Sequence, residues 1–169
     1  MVGIVTPGAH AVTVKPITAA DIPAVAEFFH RGLSSRAPVA DWCRVMTPAW
    51  EVEQPNHGYF LEENGRIVGA YHAFYSERVI EGRRRDICNL GAWCVEDGHR
   101  AAGLRLLRSL LRQRGYTFTD LTPSGNVLDL NARLGFVELD TTTALVPHMP
   151  WSLRSRGVRV VDADRKSVV

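Results

Sequence analysis

Apolar residues along this chain recur at two spacings, every second residue and every third or fourth, and the changes between them mark alternating strands and helices. Val12-Thr13-Val14-Lys15-Pro16-Ile17 alternates and predicts a first strand. Thr18 or Asp21 then offers a helix cap, and Pro23 suits a first helical turn. Ile22, Val25, Phe29 and Leu33 fall on one helical face, and Gly32 marks the expected end. From Ser34 to Gln54 the pattern breaks: Asp41-Trp42-Cys43-Arg44-Val45-Met46 followed by Pro48 predicts a short helix and a loop.

Two apolar runs, Tyr59 to Glu63 and Arg66 to Phe74, flank Asn64-Gly65. This pair predicts a tight hairpin, because both central positions of a type I′ turn need positive φ. A second turn at Glu81-Gly82 leads into a longer apolar strand, Arg85 to Val95, expected in the interior of the sheet. In the next helix, at roughly 100° per residue, Leu104, Leu106, Leu107, Leu110 and Leu111 are assigned to one arc and Arg105, Arg108 and Arg112 to the other, with Gly115 as the stop. Tyr116 to Thr122 predicts a strand, Ser124 to Leu134 a short helix, and Phe136 to Val146 a last strand. The order is therefore β-α-α-β-β-β-α-β-α-β, an α/β domain with a mixed central sheet, flanking helices and one βαβ crossover. Residues 1–11 read as an N-terminal segment, 12–147 as the domain, and 148–169 as a basic tail in which Val158 to Val161 offers an edge strand.

The length of 169 residues and the 46% apolar content suit one domain with a real core. A net charge of +2 and a pI near 8.6 fall short of a nucleic-acid-binding module. The first ten residues lack a basic start followed by an apolar run of about 7–15 residues, so no secretory signal is read, and no stretch is long enough to span a bilayer. Cys43, Cys88 and Cys94 have no metal-ligand spacing; the expectation is a reduced, cytoplasmic protein without a metal.

The segment richest in chemistry runs from Val95 through Glu96-Asp97-Gly98-His99 into Arg100-Ala101-Ala102-Gly103-Leu104. A strand leading through a short turn into a helix places unpaired N–H groups and the positive end of the macrodipole together, which suits a phosphate. Small side chains at Ala101, Ala102 and Gly103 would let such a group approach.

This order, with the strand-turn-helix at Val95 to Arg112 and Leu134-Gly135-Phe136 after a short helix, resembles the GCN5-related N-acetyltransferase (GNAT) superfamily over about Val12 to Leu145. The family's acetyl-CoA signature, Gln/Arg-x-x-Gly-x-Gly/Ala, is matched by Arg100-Ala101-Ala102-Gly103-Leu104 and departs at Arg105. The resemblance implies that main-chain N–H groups from Arg100 to Arg105 cradle the pyrophosphate of acetyl-CoA or another acyl-CoA. It also implies that Cys94 and Val95 pair with the pantetheine through their backbone; near the start of the short helix, Ser124 is a candidate catalytic residue beside Asn131, orienting the protonation of the thiolate by solvent or another group, and Asn126 a candidate orienting and cofactor-binding residue. The family often carries a tyrosine four residues before the glycine, as the acid that protonates the departing thiolate; here that position is Asn131, which donates a hydrogen bond but no proton.

The implied reaction is direct transfer of an acyl group to an amine of a small molecule or peptide, without a covalent enzyme intermediate, nucleic acid or membrane. The alternative is a noncatalytic acyl-CoA-binding or interaction module on the same fold; a different nucleotide-binding protein is disfavoured by the lack of Gly-x-Gly-x-x-Gly or a Walker-type loop. A general base must be sought among Glu62, Glu63, His72, Asp86 and Asp120. Arg83-Arg84-Arg85 reads as a charged turn or a site for an acidic group, and Trp42, Trp50 and Tyr59 as core or as an acceptor pocket. The tail also allows a homodimer by strand exchange.

Overall fold

The computed structural model describes residues 11–125 and 127–139. Strand β1 (Thr13–Pro16) leads through a single turn of 3-10 helix into α1 (Ile22–Gly32), and α2 (Val39–Met46) follows. The meander β2 (Gly58–Glu63), β3 (Arg66–Ile80) and β4 (Arg83–Val95) comes next, then α3 (Arg100–Leu111), β5 (Tyr116–Thr119) and α4 (Val127–Arg133). The sheet order is β1-β2-β3-β4-β5, with β5 alone parallel to its neighbour.

Local chemistry explains these elements. Thr18 and Asp21 form a reciprocal capping box at the entry to the first helix, and Pro23 sits in its first turn. Both hairpins turn through consecutive positive φ angles, 53° and 75° at Asn64-Gly65 and 52° and 71° at Glu81-Gly82. Side chains alternate across the sheet. On one face Tyr71, Ala73, Tyr75, Cys88 and Leu90 pack with Leu106, Leu107 and Leu110 of α3; on the other Phe60 and Ala70 pack with Val25, Phe28 and Phe29 of α1 and Met46 of α2.

Several boundaries differ from the sequence pattern. Leu33 is 43% exposed, because it lies past the end of α1 as its cap. Leu104 is 42% exposed: the buried arc of α3 is centred on Gly103, Leu106, Leu107 and Leu110, and Leu104 lies at its margin. Helix α3 stops at Leu111, with Gly115 at φ +92° serving the turn into β5 instead of a helix cap. The β3–β4 hairpin extends to Ile80, further than alternation alone suggested. No strand forms over Phe136 to Leu139; the remainder of that expected strand, and the one at Val158 to Val161, lie outside the described residues.

Candidate functional site

The site follows from a defect in the pairing of β4. Tyr71 faces Trp93 and Ala73 faces Leu90, so the single residue His72 of β3 stands opposite two residues of β4, Gly91 and Ala92. Such a bulge bends the strand and interrupts the ladder, which resumes from Tyr71↔Trp93 to Gly69↔Val95. On the other side β5 matches β4 only from Asp86↔Tyr116 to Asn89↔Thr119. Beyond Asn89, β4 has no β5 residue beside it, and a shallow, open cleft lies at the split. Tyr71, Gly91 and Trp93 form one wall; Asp120, the Thr122-Pro123 turn, Ser124 and Val127 form the other.

Gly91 is a glycine for a local reason, since a Cβ there would lie 3.1 Å from His72 Nδ1 and 3.1 Å from Phe74 Cε2. The rings of Tyr71 and Trp93 stack at 4.7 Å and 3°, making a flat apolar wall. Burial first, and then the charge of Asp120, raise the Tyr71 phenol above its ordinary range, so it stays protonated.

Trp93 lines this cleft and also lies against Gly103, just beyond the turn that follows Val95. Helix α3 begins at Arg100, its N-cap is His99, and no side chain bonds to the cap. A 3-10 turn over Asp97–His99 runs directly into this helix, with the His99 N–H donating to the Glu96 carbonyl at 2.8 Å, so the N–H groups without an intrahelical acceptor are shared between that turn and the first residues of α3. Ala101 is exposed beside them, whereas Gly103 faces inward: a Cβ on Gly103 would lie 3.1 Å from Val95 Cγ2 and 3.7 Å from Trp93 Cζ2. Its small size therefore serves the close approach of α3 to β4, and the exposed small residue of this first turn is Ala101. Arg100 pairs with Asp97 at 2.7 Å, with both side chains mostly exposed, a contact weak enough to exchange for a phosphate. Arg105 does not lie over the turn's entrance; its Nη1 donates to the carbonyl of Val12 at 2.8 Å. The turn is anchored from the sheet side by His99 to Glu63 at 3.1 Å and Arg66 to Glu96 at 2.6 Å.

Of the residues singled out beyond the turn, Ser124 and Asp120 line the cleft, and Asn131 is 6% exposed with its Nδ2 donating to Asp120 Oδ2 at 2.9 Å. Asn126 lies outside the described residues. Among the candidate bases, Glu62 pairs with Lys15 at 2.7 Å, Glu63 with His99, and Asp86 with Arg84 at the far end of β4. His72 is 1% exposed on the opposite face of the sheet from Tyr71; burial, followed by the charge of His57, lowers it to about 3 and keeps it neutral. Asp120 alone of the five lines the cleft.

Cys94 turns to the α1 side, where a Cβ on Gly32 would lie 2.5 Å from its Sγ, and burial raises its thiol, with Glu96 adding to the effect. Arg85 is ten residues from Val95 along β4, about 33 Å at strand rise, so the arginine run shares no phosphate with the turn. Trp42 packs on Phe29 and Tyr59 against the α3-side core, while Trp50 is 49% exposed and bonds Tyr75 O at 2.8 Å. The pattern of alternation did not single out Tyr71 or Trp93; the available signal was an aromatic on each of two paired strands beside Gly91. Among the described residues no group of three or more His, Cys, Asp or Glu is arranged to hold a metal ion, and no helix is long and apolar enough to cross a membrane.

No protein-family model matches the chain, and no curated protein sequence matches it. Solved structures do. An acetyltransferase from Trypanosoma brucei superposes with a TM-score of 0.58 at 18% identity, over 81% of this chain and 100% of that one. An aminoglycoside N-acetyltransferase AAC(6')-Iy in complex with CoA gives 0.59 at 13%, over 86% and 100%. A GCN5-related N-acetyltransferase from Kribbella flavida gives 0.53 at 19%, over 75% of this chain and 33% of that one. The fold is that of the GCN5-related N-acetyltransferases.

Proposed function

We propose that the protein binds acetyl-CoA or a related acyl-CoA and transfers the acyl group directly to an amine of a small molecule or peptide. The observation that carries this reading is the cleft at the split between β4 and β5, in whose wall Trp93 lies packed near Gly103 in the first turn of α3. A long ligand with an anionic end and an uncharged arm suits that arrangement: phosphate at the N–H groups of Arg100 to Ala102, the arm along Val95 and Trp93, and the thioester at the cleft. That a structural neighbour was solved with CoA supports the choice of ligand.

Direct transfer is favoured over a covalent intermediate, because Cys94 points to the other face of the sheet and burial keeps its thiol protonated. Catalysis then rests on holding amine and thioester together, with backbone donors near the bulge polarising the carbonyl. Asn131, in place of a proton donor, favours a second reading in which the same site binds acyl-CoA without turnover.

Calorimetric titration with acetyl-CoA and longer acyl-CoAs, combined with thiol release across a panel of amines, separates the two. Binding with thiol release is the expected result. Binding alone would support the noncatalytic reading, and no binding of any CoA species would refute both.

A further inference from the structure

At the cleft, one carboxylate is held by one amide. Asn131 is buried on α4, and the carboxylate of Asp120 can only accept, so the Asn131 NH₂ must face it, at 2.9 Å. That choice leaves Asn131 Oδ1 buried without a partner among the described residues. Asp120 itself follows the last residue of β5, faces the Tyr71–Trp93 wall and has no cation beside it among the described ion pairs.

Resting on the transferase reading above, we propose that Asp120 carries the proton of the transfer step and that Asn131 is the positioning residue that aims its carboxylate. The neutral amine attacks the thioester carbonyl, a C–N bond forms and the C–S bond breaks. The proton released by nitrogen passes to the Asp120 carboxylate, and from there to the departing CoA thiolate, which leaves as thiol and restores the carboxylate. One group thus performs both transfers, and the absence of a proton donor at Asn131 leaves no step unsupplied. Tyr71 lies on the opposite wall of the cleft, and its raised phenol holds its proton too tightly to replace Asp120.

The test compares wild type, Asp120→Asn, Asp120→Ala, Asn131→Ala and the Asp120→Asn/Asn131→Ala pair, with acetyl-CoA as donor and a panel of primary amines. Asp120→Asn keeps the shape and the bond to Asn131; its kcat should fall by about 10²–10⁴-fold, with acetyl-CoA affinity changed by less than about threefold. Formate should restore part of the rate of Asp120→Ala in proportion to its concentration, which a purely structural role would not allow. Asn131→Ala should lower kcat about tenfold in wild type and add nothing in the Asp120→Asn background.

An Asp120→Asn rate equal to wild type overturns the proposal while leaving the transferase intact. Acetyl-CoA binding by wild type without thiol release from any amine overturns it and leaves a binding module. Failure of wild type to bind acetyl-CoA overturns both readings.

Discussion

Ala101→Glu tests the anion site by moving two observables in opposite directions. Ala101 is exposed in the first turn of α3, and no side chain occupies the cap. In the free protein a carboxylate there meets the positive end of the helix, which is worth about 0.3–1 kcal/mol of stability. For a chain of this length that raises Tm by about 1–3 °C. With ligand present the same carboxylate lies near a pyrophosphate. Two negative charges at about 5 Å in a solvent-like dielectric repel by about 0.8 kcal/mol each, or about 1.7 kcal/mol together, which weakens affinity about 15-fold. Titration calorimetry and thermal melts at low salt read both effects, and salt should shrink the affinity loss as the Debye length falls to about 10 Å near 0.1 M. Ala101→Gln, uncharged, should bind like wild type. A raised Tm with unchanged acetyl-CoA affinity would place the phosphate elsewhere and refute the reasoning.

Three further outcomes are expected. Gly58→Ala should destabilise by more than about 3 kcal/mol in urea melts, because Gly58 has φ +114° and a Cβ would strike the Tyr71 carbonyl. Gly103→Leu should cost about 1–3 kcal/mol by forcing α3 off Val95, and should lower Tm with or without acetyl-CoA. His72 is neutral when folded down to about pH 3 and charges near its ordinary value when unfolded, so the unfolded state binds more protons in between. Its contribution is therefore complete above about pH 6.5 and falls by about 1.4 kcal/mol per pH unit below it; His72→Phe should flatten that part of the stability–pH profile, and an unchanged slope would count against the buried neutral ring.

The element order was legible because spacing and punctuation agreed: alternation around Val14, Asn64-Gly65 between two apolar runs, helical spacing from Ile22 to Phe29. Positions where a side chain must choose between two neighbours were less so. Leu104 has the composition of a core residue, yet the inward direction of α3 is decided by Gly103, whose missing side chain admits Val95. The candidate bases Glu62, Glu63 and Asp86 look alike in a sequence; only their partners Lys15, His99 and Arg84 set them apart from Asp120. The Asp120–Asn131 bond spans a loop between a strand end and a helix, and no periodicity encodes it. The bulge opposite His72 is likewise a two-strand property, hinted at only by Gly91.

The short match between β5 and β4 has a consequence for cooperativity. The meander of β2 to β4 is closed by two tight turns and antiparallel ladders, with β1 paired antiparallel along its edge, whereas β5 is held by a four-residue parallel register. Parallel pairing over so few residues, reached through a helical crossover, is the part expected to open at the lowest free energy. Everything on the far wall of the cleft, from Asp120 to α4, hangs on that register. Amide hydrogens of Tyr116 to Thr119 should exchange before those of β2 and β3, and acyl-CoA should slow them most. The protein would then admit a long, threaded ligand by partial unzipping of one strand while its meander stays folded.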